Sequence, residues 1–454
     1  MNTDDVASTT QKPLPKYHRL WYLLTLILAL LSLISQQSLV LLAALCTLVF
    51  GLVPVIWYRK ALKHLVIHAA LSCQEVLFGD DITLSLTIEN RKLLPLPWLR
   101  VDIALSPPLV ILSESEKQRK TLSQVNETWL LLPFQRVTRR YHLRCHARGS
   151  YLLGPATVRS SDPLGWLECE LSLPVHLPFV VYPLIMPVET LSFASFHPFG
   201  ELSTNLPLVE DPLQVIGTRE YQLGDDLRRV HWKATARHGS LQSKVYTYSG
   251  HHRLLILLDA WNYTAWRGTD PAVQELSISI AASVVIWAME EGMQVGLLTN
   301  SPTRLHLSAG SPSFSPVTQF NETQTDEETH LVVPFARGIA HAQRILATLA
   351  ELLPYKSSSL AKAIMLHPNL YIPGTTILVI SAVTSLEKET IASLLDFQQC
   401  GIPSYLFVVG EGKMPSSENL PIQHIGGKDL WYELITTTND ASTHQGHISK
   451  IVVN

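Results

Sequence analysis

The sequence predicts an α+β multidomain chain: an N-terminal two-helix transmembrane hairpin, a small β-sandwich, then an α/β domain with a parallel, Rossmann-type sheet. Three observations predict it. Residues 20–58 carry no charge. Several stretches between residues 81 and 148 alternate apolar and polar side chains. After residue 251, short apolar runs alternate with stretches of helical period. The expected boundaries are a cytoplasmic tail (1–19), the hairpin (20–58), the sandwich (62–185), a motif segment (186–250) and the α/β domain (251–454).

The charge-free run is too long for one membrane span and suits two of roughly 20 residues each. A polar break, Ser35-Gln36-Gln37-Ser38, divides it. Trp21 and Tyr22 open the first half, and Trp57 and Tyr58 close the second, where interfacial aromatics are expected. Lys12, Lys16 and Arg19 precede the hairpin, and Arg59, Lys60 and Lys63 follow it, while its turn has no Lys or Arg. By the positive-inside rule both termini and the soluble body are then cytoplasmic. A second span at once after the first argues against a cleaved signal peptide. Asn126, Asn262 and Asn321 head glycosylation-like triplets that a cytoplasmic body would never present to the glycosylation machinery.

Composition agrees with a membrane-associated chain: of 454 residues 46% are apolar and 16% charged, with a formal net charge of -3. No basic excess points to nucleic acid. The five cysteines are scattered without a C-x-x-C pair, so a zinc ribbon or disulfide framework is not expected.

In the second segment, Asp81-Ile82-Thr83-Leu84-Ser85-Leu86-Thr87-Ile88, Arg100-Val101-Asp102-Ile103-Ala104-Leu105 and Tyr141-His142-Leu143-Arg144-Cys145 read as half-buried antiparallel strands. Strand alternation puts Cys145 on the face opposite His142 and His146, which speaks against a metal site there.

In the third segment, residues 254–259, 293–298, 375–380 and 404–409 read as buried strands. A helix follows Asp270-Pro271 and stops at Gly292; another covers 340–353; a third opens on the capping-box spacing Thr384-Ser385-Leu386-Glu387 and ends at Gly401. Residues 308–328 read as a loop. Asp259 ends the first strand, where ligands sit in such sheets, but no glycine-rich phosphate loop follows it.

Residues 218–241 are the densest in charge. Asp225 or Asp226 is expected to cap a helix that Gly239 ends, with Leu227, Val230 and Ala234 on one face. A catalytic reading makes His231 a base with Asp225 or Glu220 as partner, but no nucleophile stands out. A phosphate or nucleic-acid reading uses the arginines and Trp232, but the interleaved acids repel phosphate. The third reading is preferred: a buried Arg–carboxylate network, with His231 and Trp232 as packed anchors, clamping two domains together.

The order of hairpin, β-rich segment and Arg219-Glu220-Tyr221, Gly224-Asp225, Arg228, His231-Trp232, Thr235-Ala236-Arg237 resembles the bacterial membrane proteins called domain of unknown function 58. Asp162-Pro163-Leu164-Gly165-Trp166 is similar to that family's DP-x-G turn. The last third resembles the von Willebrand factor A fold. The resemblance implies an inner-membrane, multi-pass protein. It also implies partners: the lipid bilayer, a MoxR-type AAA+ ATPase and a transglutaminase-like membrane protein. It supplies no reaction, so a non-enzymatic adaptor or scaffold is expected, with no catalytic residue and no cofactor. The A-fold metal site reads Asp-x-Ser-x-Ser, and here Asp259, Trp261 and Tyr263 stand in those places, a degenerate set for Mg²⁺. The competing readings are a metal-dependent ligand binder of the A type and a hydrolase-like enzyme using His231.

Overall fold

The structure is a computed structural model. It describes residues 17–35, 38–112, 120–162, 165, 167–173, 175–187, 210–222, 224–248, 253–259, 271–301, 330–352, 359–372, 374–383, 386–412 and 420–440. Two compact units divide between Tyr182 and Pro183.

The first unit opens with two helices, α1 (Tyr17–Ser35) and α2 (Ser38–Lys60), packed against each other. Trp21 lies over Gly51, where even a Cβ would clash with its ring. The Trp21 indole donates to the Thr47 carbonyl at 2.9 Å, which locks the crossing. Most other side chains of the pair are exposed and apolar. Among the described residues, two helices are long and apolar enough to cross a membrane, α2 and α4 (Pro271–Glu290). They differ in burial: α4 is mostly buried in the second unit, whereas α2 is not. α2 therefore keeps an apolar surface that the described residues do not cover.

Past α2 the chain runs almost directly into a mainly antiparallel sheet. Its strands are β1 (Leu65–Leu71), β2 (Glu75–Val76), β3 (Asp81–Asn90), β4 (Leu96–Leu112), β5 (Lys120–Leu131), β6 (Arg136–Arg144), β7 (Gly149–Ser161), β8 (Glu168–Leu173) and β9 (Leu177–Val181). The order is β1-β3-β6-β4-β7-β9-β2, with β5 also on β4 and β8 on β7. The expectation is a small β-sandwich. The strands form one hydrogen-bonded network through β4, which pairs β5 and β7 along most of its length and meets β6 only at Ile111 and Leu112. A strand this long, with register shifts, serves both halves. Alternation still selects the core: Ile82, Leu84, Leu86 and Ile88 of β3 join Leu99, Val101 and Ile103 of β4 and Val158 of β7 in one cluster. Val55 and Tyr58 of α2 belong to the same cluster, so the helix end is anchored in the sheet core. Cys145 is fully buried, while His142 and His146 are partly exposed.

The turn that follows α2 leaves backbone carbonyls that need donors. The Lys92 ammonium donates to the carbonyls of Ala61 and Lys63. Asn90, wholly buried, donates from its amide to the carbonyls of Leu94 and Leu132, each at 3.0 Å.

In the second unit, β10 (Glu210–Glu220) and β11 (Gln242–Tyr248) form a two-stranded antiparallel ribbon around a short helix, α3 (Trp232–His238). A six-stranded sheet follows: β12 (Arg253–Leu258), β13 (Gln294–Thr299), β14 (Leu331–Ala336), β15 (Thr375–Ala382), β16 (Ser404–Val409) and β17 (Ile422–Gly426), in the order β14-β13-β12-β15-β16-β17. The parallel sheet that was expected is mixed, because β14 pairs β13 antiparallel at one edge. The other neighbours are parallel. The remaining helices are α5 (Ile339–Glu351), α6 (Leu360–Leu366), α7 (Lys388–Gln399) and α8 (Lys428–Asp440). α4 contacts β12, β13, β15 and β16 as well as α5 and α8, and α6 packs with α7. Leu255 and Leu257 join the core cluster that holds the inner residues of α6 and α7.

The expected capping box at residues 384–387 is corrected. Glu387 is itself the N-cap of α7, in extended conformation, and its carboxylate accepts from Ser359. The helix thus starts three residues later than the box implies. Residues 302–329, and with them the loop expected at 308–328, lie outside the described residues, as do Asp270, Asn262 and Asn321.

Burial pushes the Lys92 amine down to about 8 from its ordinary 10.5. Across that window the folded chain holds fewer protons than the unfolded chain, so stability rises with pH from about 8 towards 10.5. Chemical unfolding of the detergent-solubilised chain is expected to show this rise. Lys92→Met is expected to flatten it; an unchanged slope counts against the buried amine.

Candidate functional site

Two places in the second unit hold the residues singled out by sequence. The first is residues 217–248. Arg219 pairs across the ribbon with Ser243, and Glu220 with Gln242. Tyr221 leaves the strand, its N–H donating to the Leu241 carbonyl at 2.9 Å. Gly224, at φ 113, turns the chain back. Asp225 then faces the start of its own loop. One oxygen takes the Arg219 guanidinium at 2.6 Å and the other the Gln222 N–H at 3.1 Å. The Tyr221 hydroxyl donates to the Asp225 carbonyl at 2.9 Å. The Gln222 N–H and Arg219 hold the Asp225 carboxyl below its usual range.

The continuous helix expected from 225 or 226 to 239 is broken. Asp226 caps a single 3-10 turn, Leu227–Arg229, by accepting from the Arg228 N–H. Val230 is extended because it bridges to Ser243 of the ribbon, and the His231 N–H donates to Gln242 at 2.7 Å. Ribbon pairing thus outcompetes the helix at this point. α3 restarts after His231, whose Nδ1 accepts the Ala234 N–H at 3.0 Å. Thr235 ties the helix to the ribbon: its hydroxyl donates to the His231 carbonyl and accepts from the Gln242 N–H. Gly239, at φ 71, closes α3 in the left-handed region.

The expected buried Arg–carboxylate network is therefore corrected. The Arg219–Asp225 pair is local, and nearly half of the Arg219 side chain is exposed. Glu220, Arg228, Lys233 and Arg237 are exposed. Trp232 is no packed anchor: at 70% exposure it projects from the first turn of α3. Leu227 and Leu241 are exposed as well, so the face expected for Leu227, Val230 and Ala234 does not form. The interior of the module is built from backbone bonds and small polar groups, which leaves its large side chains outside. His231 serves as a helix cap, its Nδ1 lone pair taken by a backbone N–H.

The second place is the carboxyl end of β12, where the strand order turns from β12–β13 to β12–β15. Asp259, 3% exposed, ends β12. Its carboxylate accepts from the Asn300 amide at 3.0 Å and from the Ser381 hydroxyl at 2.8 Å. Asn300, Ser301 and Ser381 are fully buried. Sequence reading found Asp259; Ser381 directly follows the third expected strand, 375–380. Sequence reading missed Asn300, whose only signal is that it directly follows β13.

An A-type Mg²⁺ site does not fit these residues. Both Asp259 oxygens are turned to side-chain donors, and the sequence offers Trp261 and Tyr263, outside the described residues, where hydroxyls of serine belong. Among the described residues, no group of three or more His, Cys, Asp or Glu is placed to hold a metal.

Two outcomes are expected. Asp259→Leu leaves the buried Asn300 and Ser381 donors without this acceptor and lowers stability by about 1–3 kcal/mol for each; Asp259→Asn, which keeps one carbonyl acceptor, lowers it less. Thermal unfolding of the two variants checks the order. At His231, alanine removes the cap, and amides of 232–238 exchange about fivefold faster, while asparagine, a good N-cap, keeps the parent rate. Hydrogen exchange by mass spectrometry reads both, and equal rates in H231A and the parent rule out the capping role.

Comparison with known proteins adds the following. Residues 217–310 match the family described as Protein of unknown function DUF58. The segment thus begins at the ribbon and takes in β12, α4 and β13. The uncharacterized protein YeaD of Bacillus subtilis (strain 168) is 24% identical over 224 residues, 48% of this chain. The match spans 52% of that protein, about half its length. Among solved structures, the C-terminal domain of wzt is similar over 26% of this chain and 72% of its own, at 10% identity and a TM-score of 0.19. Proximal thread matrix protein 1 from the mussel byssus is similar over 42% of this chain and 47% of its own, at 9% identity and a TM-score of 0.27. Likeness at those scores carries no argument about fold or function. In residues 217–310 the chain is similar to the DUF58 family.

Proposed function

We propose that this protein is a membrane-anchored, non-enzymatic adaptor that docks a protein partner through the module of residues 217–248. The observation that carries the reading is the exposed Trp232, with Leu227 and Leu241, on a framework whose polar groups are largely spent on one another. Such a framework loses little conformational entropy on binding, and Trp and Arg are the side chains that most often anchor interfaces. Exposed Arg228, Lys233 and Arg237 beside Trp232 suit a partner with an apolar pocket and an acidic rim.

The wider reading extends the family resemblance. The hairpin of α1 and α2 spans the inner membrane with both ends cytoplasmic, on the strength of its uncovered apolar surface and its basic flanks. The α/β domain is of the von Willebrand factor A type, supported by its strand order, with the metal position given over to a closed hydrogen-bond cluster. The partner is a MoxR-type AAA+ ATPase, and a transglutaminase-like membrane protein shares the assembly.

The full chain, purified from membranes of its native host, is expected to carry the ATPase with it. Trp232→Ala is expected to reduce the co-purified ATPase about tenfold or more, as loss of an interface anchor does, while exchange in 232–238 stays at the parent level. Equal recovery of the ATPase with W232A and the parent overturns the docking assignment.

A further inference from the structure

The end of the first unit that adjoins α2 carries exposed apolar side chains in positions where soluble hairpins carry polar ones. β3 pairs antiparallel with β1, so that Asn90 lies opposite Leu65, the first residue of β1. The connection from β3 to β4 therefore leaves the sheet at the end where the chain enters from α2. β6 begins at Arg136 opposite Glu89, so the turn between β5 and β6 leaves at that same end. Leu93 in the first connection is 79% exposed, and Leu132 and Phe134 in the second are 54% and 66% exposed.

These side chains do not stand on loose loops. Asn90 clasps the Leu94 and Leu132 carbonyls, and Lys92 is bonded to the turn that follows α2. The Arg91 N–H donates to the His64 carbonyl, and the Phe134 N–H to the Lys92 carbonyl. Gln135 closes its turn through the Leu132 N–H, and Phe134 sits at φ 55, a conformation that a bulky side chain adopts only when its surroundings demand it. The fold thus holds a rigid apolar tip beside the helix end. Arg59, Lys60, Lys63 and Arg136 are exposed around it.

We propose that Leu93, Leu132 and Phe134 form an interfacial foot that dips into the headgroup–acyl boundary of the leaflet from which α2 emerges. The surrounding Arg and Lys side chains lie at the lipid phosphates. Apolar side chains ringed by cations are the pattern that binds a membrane surface, and the basic residues gain from the anionic lipids of a cytoplasmic leaflet. The foot rests on the reading of α1 and α2 as a membrane hairpin. It adds a second contact, which fixes the tilt of the hairpin and its attached sheet against the bilayer.

Depth-dependent fluorescence quenching in vesicles containing phosphatidylglycerol, with the full chain inserted, tests it. The buried thiols of Cys145 and Cys169 are pushed up to about 12 and about 11 by burial and stay unreactive. Cys46, Cys73 and Cys400 are replaced by serine except where used. One sample keeps Cys46, exposed within α2, and reports on the span. One keeps Cys73, just past the far end of β1, roughly 20 Å along the strand from its start, and reports on water. The others carry Leu93→Cys, Leu132→Cys or Phe134→Cys. Lipids with a shallow nitroxide are expected to quench the tip labels several-fold more than the Cys73 label, and deep nitroxides to quench Cys46. Tip labels quenched no more than Cys73, with Cys46 quenched by deep nitroxides, overturn the foot and leave the hairpin standing. A Cys46 label that deep nitroxides do not reach overturns the hairpin and the foot together.

Discussion

The Lys92 ammonium donates to the carbonyls of Ala61 and Lys63, in the turn that leads from α2 into β1. That bond joins the apolar hairpin to the sheet, because Lys92 is held in turn by the clasp of Asn90 on the neighbouring connections. The same constraint recurs at each joint of the chain. A buried polar group must find its partner inside the fold or cost about 1–3 kcal/mol. Asp162 answers it by taking the Leu167 N–H at 2.6 Å, which closes the turn between β7 and β8. Asp259 answers it with Asn300 and Ser381, which ties β12 to the ends of β13 and β15. Each joint places one side chain where strands or helices end, and the elements between them are ordinary apolar packing.

The module of residues 217–248 follows the same logic with a different outcome. Asp225, Asp226, His231 and Thr235 satisfy backbone groups within about twenty residues of one another. Because the polar demand is met locally, Trp232, Leu227 and the free-standing cations are not needed inside and face outward. A dense charge pattern therefore marks a self-contained scaffold here and not a buried network. The Asp259 cluster shows the converse: a carboxylate at the usual ligand position of an α/β sheet, closed over by neutral donors.

Much of the fold was legible because it follows from local rules. The uncharged run, the two-residue alternation in β3 and the buried runs of β12, β13, β15 and β16 each encode their element within a few neighbouring residues. Gly239 and Gly292 stand at helix ends in the left-handed conformation that their lack of a Cβ permits. Local signals mislead where a distant group competes with a local preference. Val230 has helical neighbours but bridges to Ser243, and Glu387 has capping-box spacing but caps α7 itself. β14 and β17 carry no clean period, and most of their residues are only partly buried.

By itself the sequence determined the kinds of element, their order, the apolar hairpin with its basic flanks, and the residues of the 217–248 motif. These depend on period, charge and turn chemistry, which act over a handful of neighbours. Only the tertiary structure decided that β4 joins both halves of the strand-rich region, that Lys92 holds the turn after α2, and that Ser381 reaches Asp259 from 122 residues away. It also decided that Trp232 faces outward. The reason is that a side chain's partner is set by which strands pair and which polar groups they bury together, and no local pattern records that pairing.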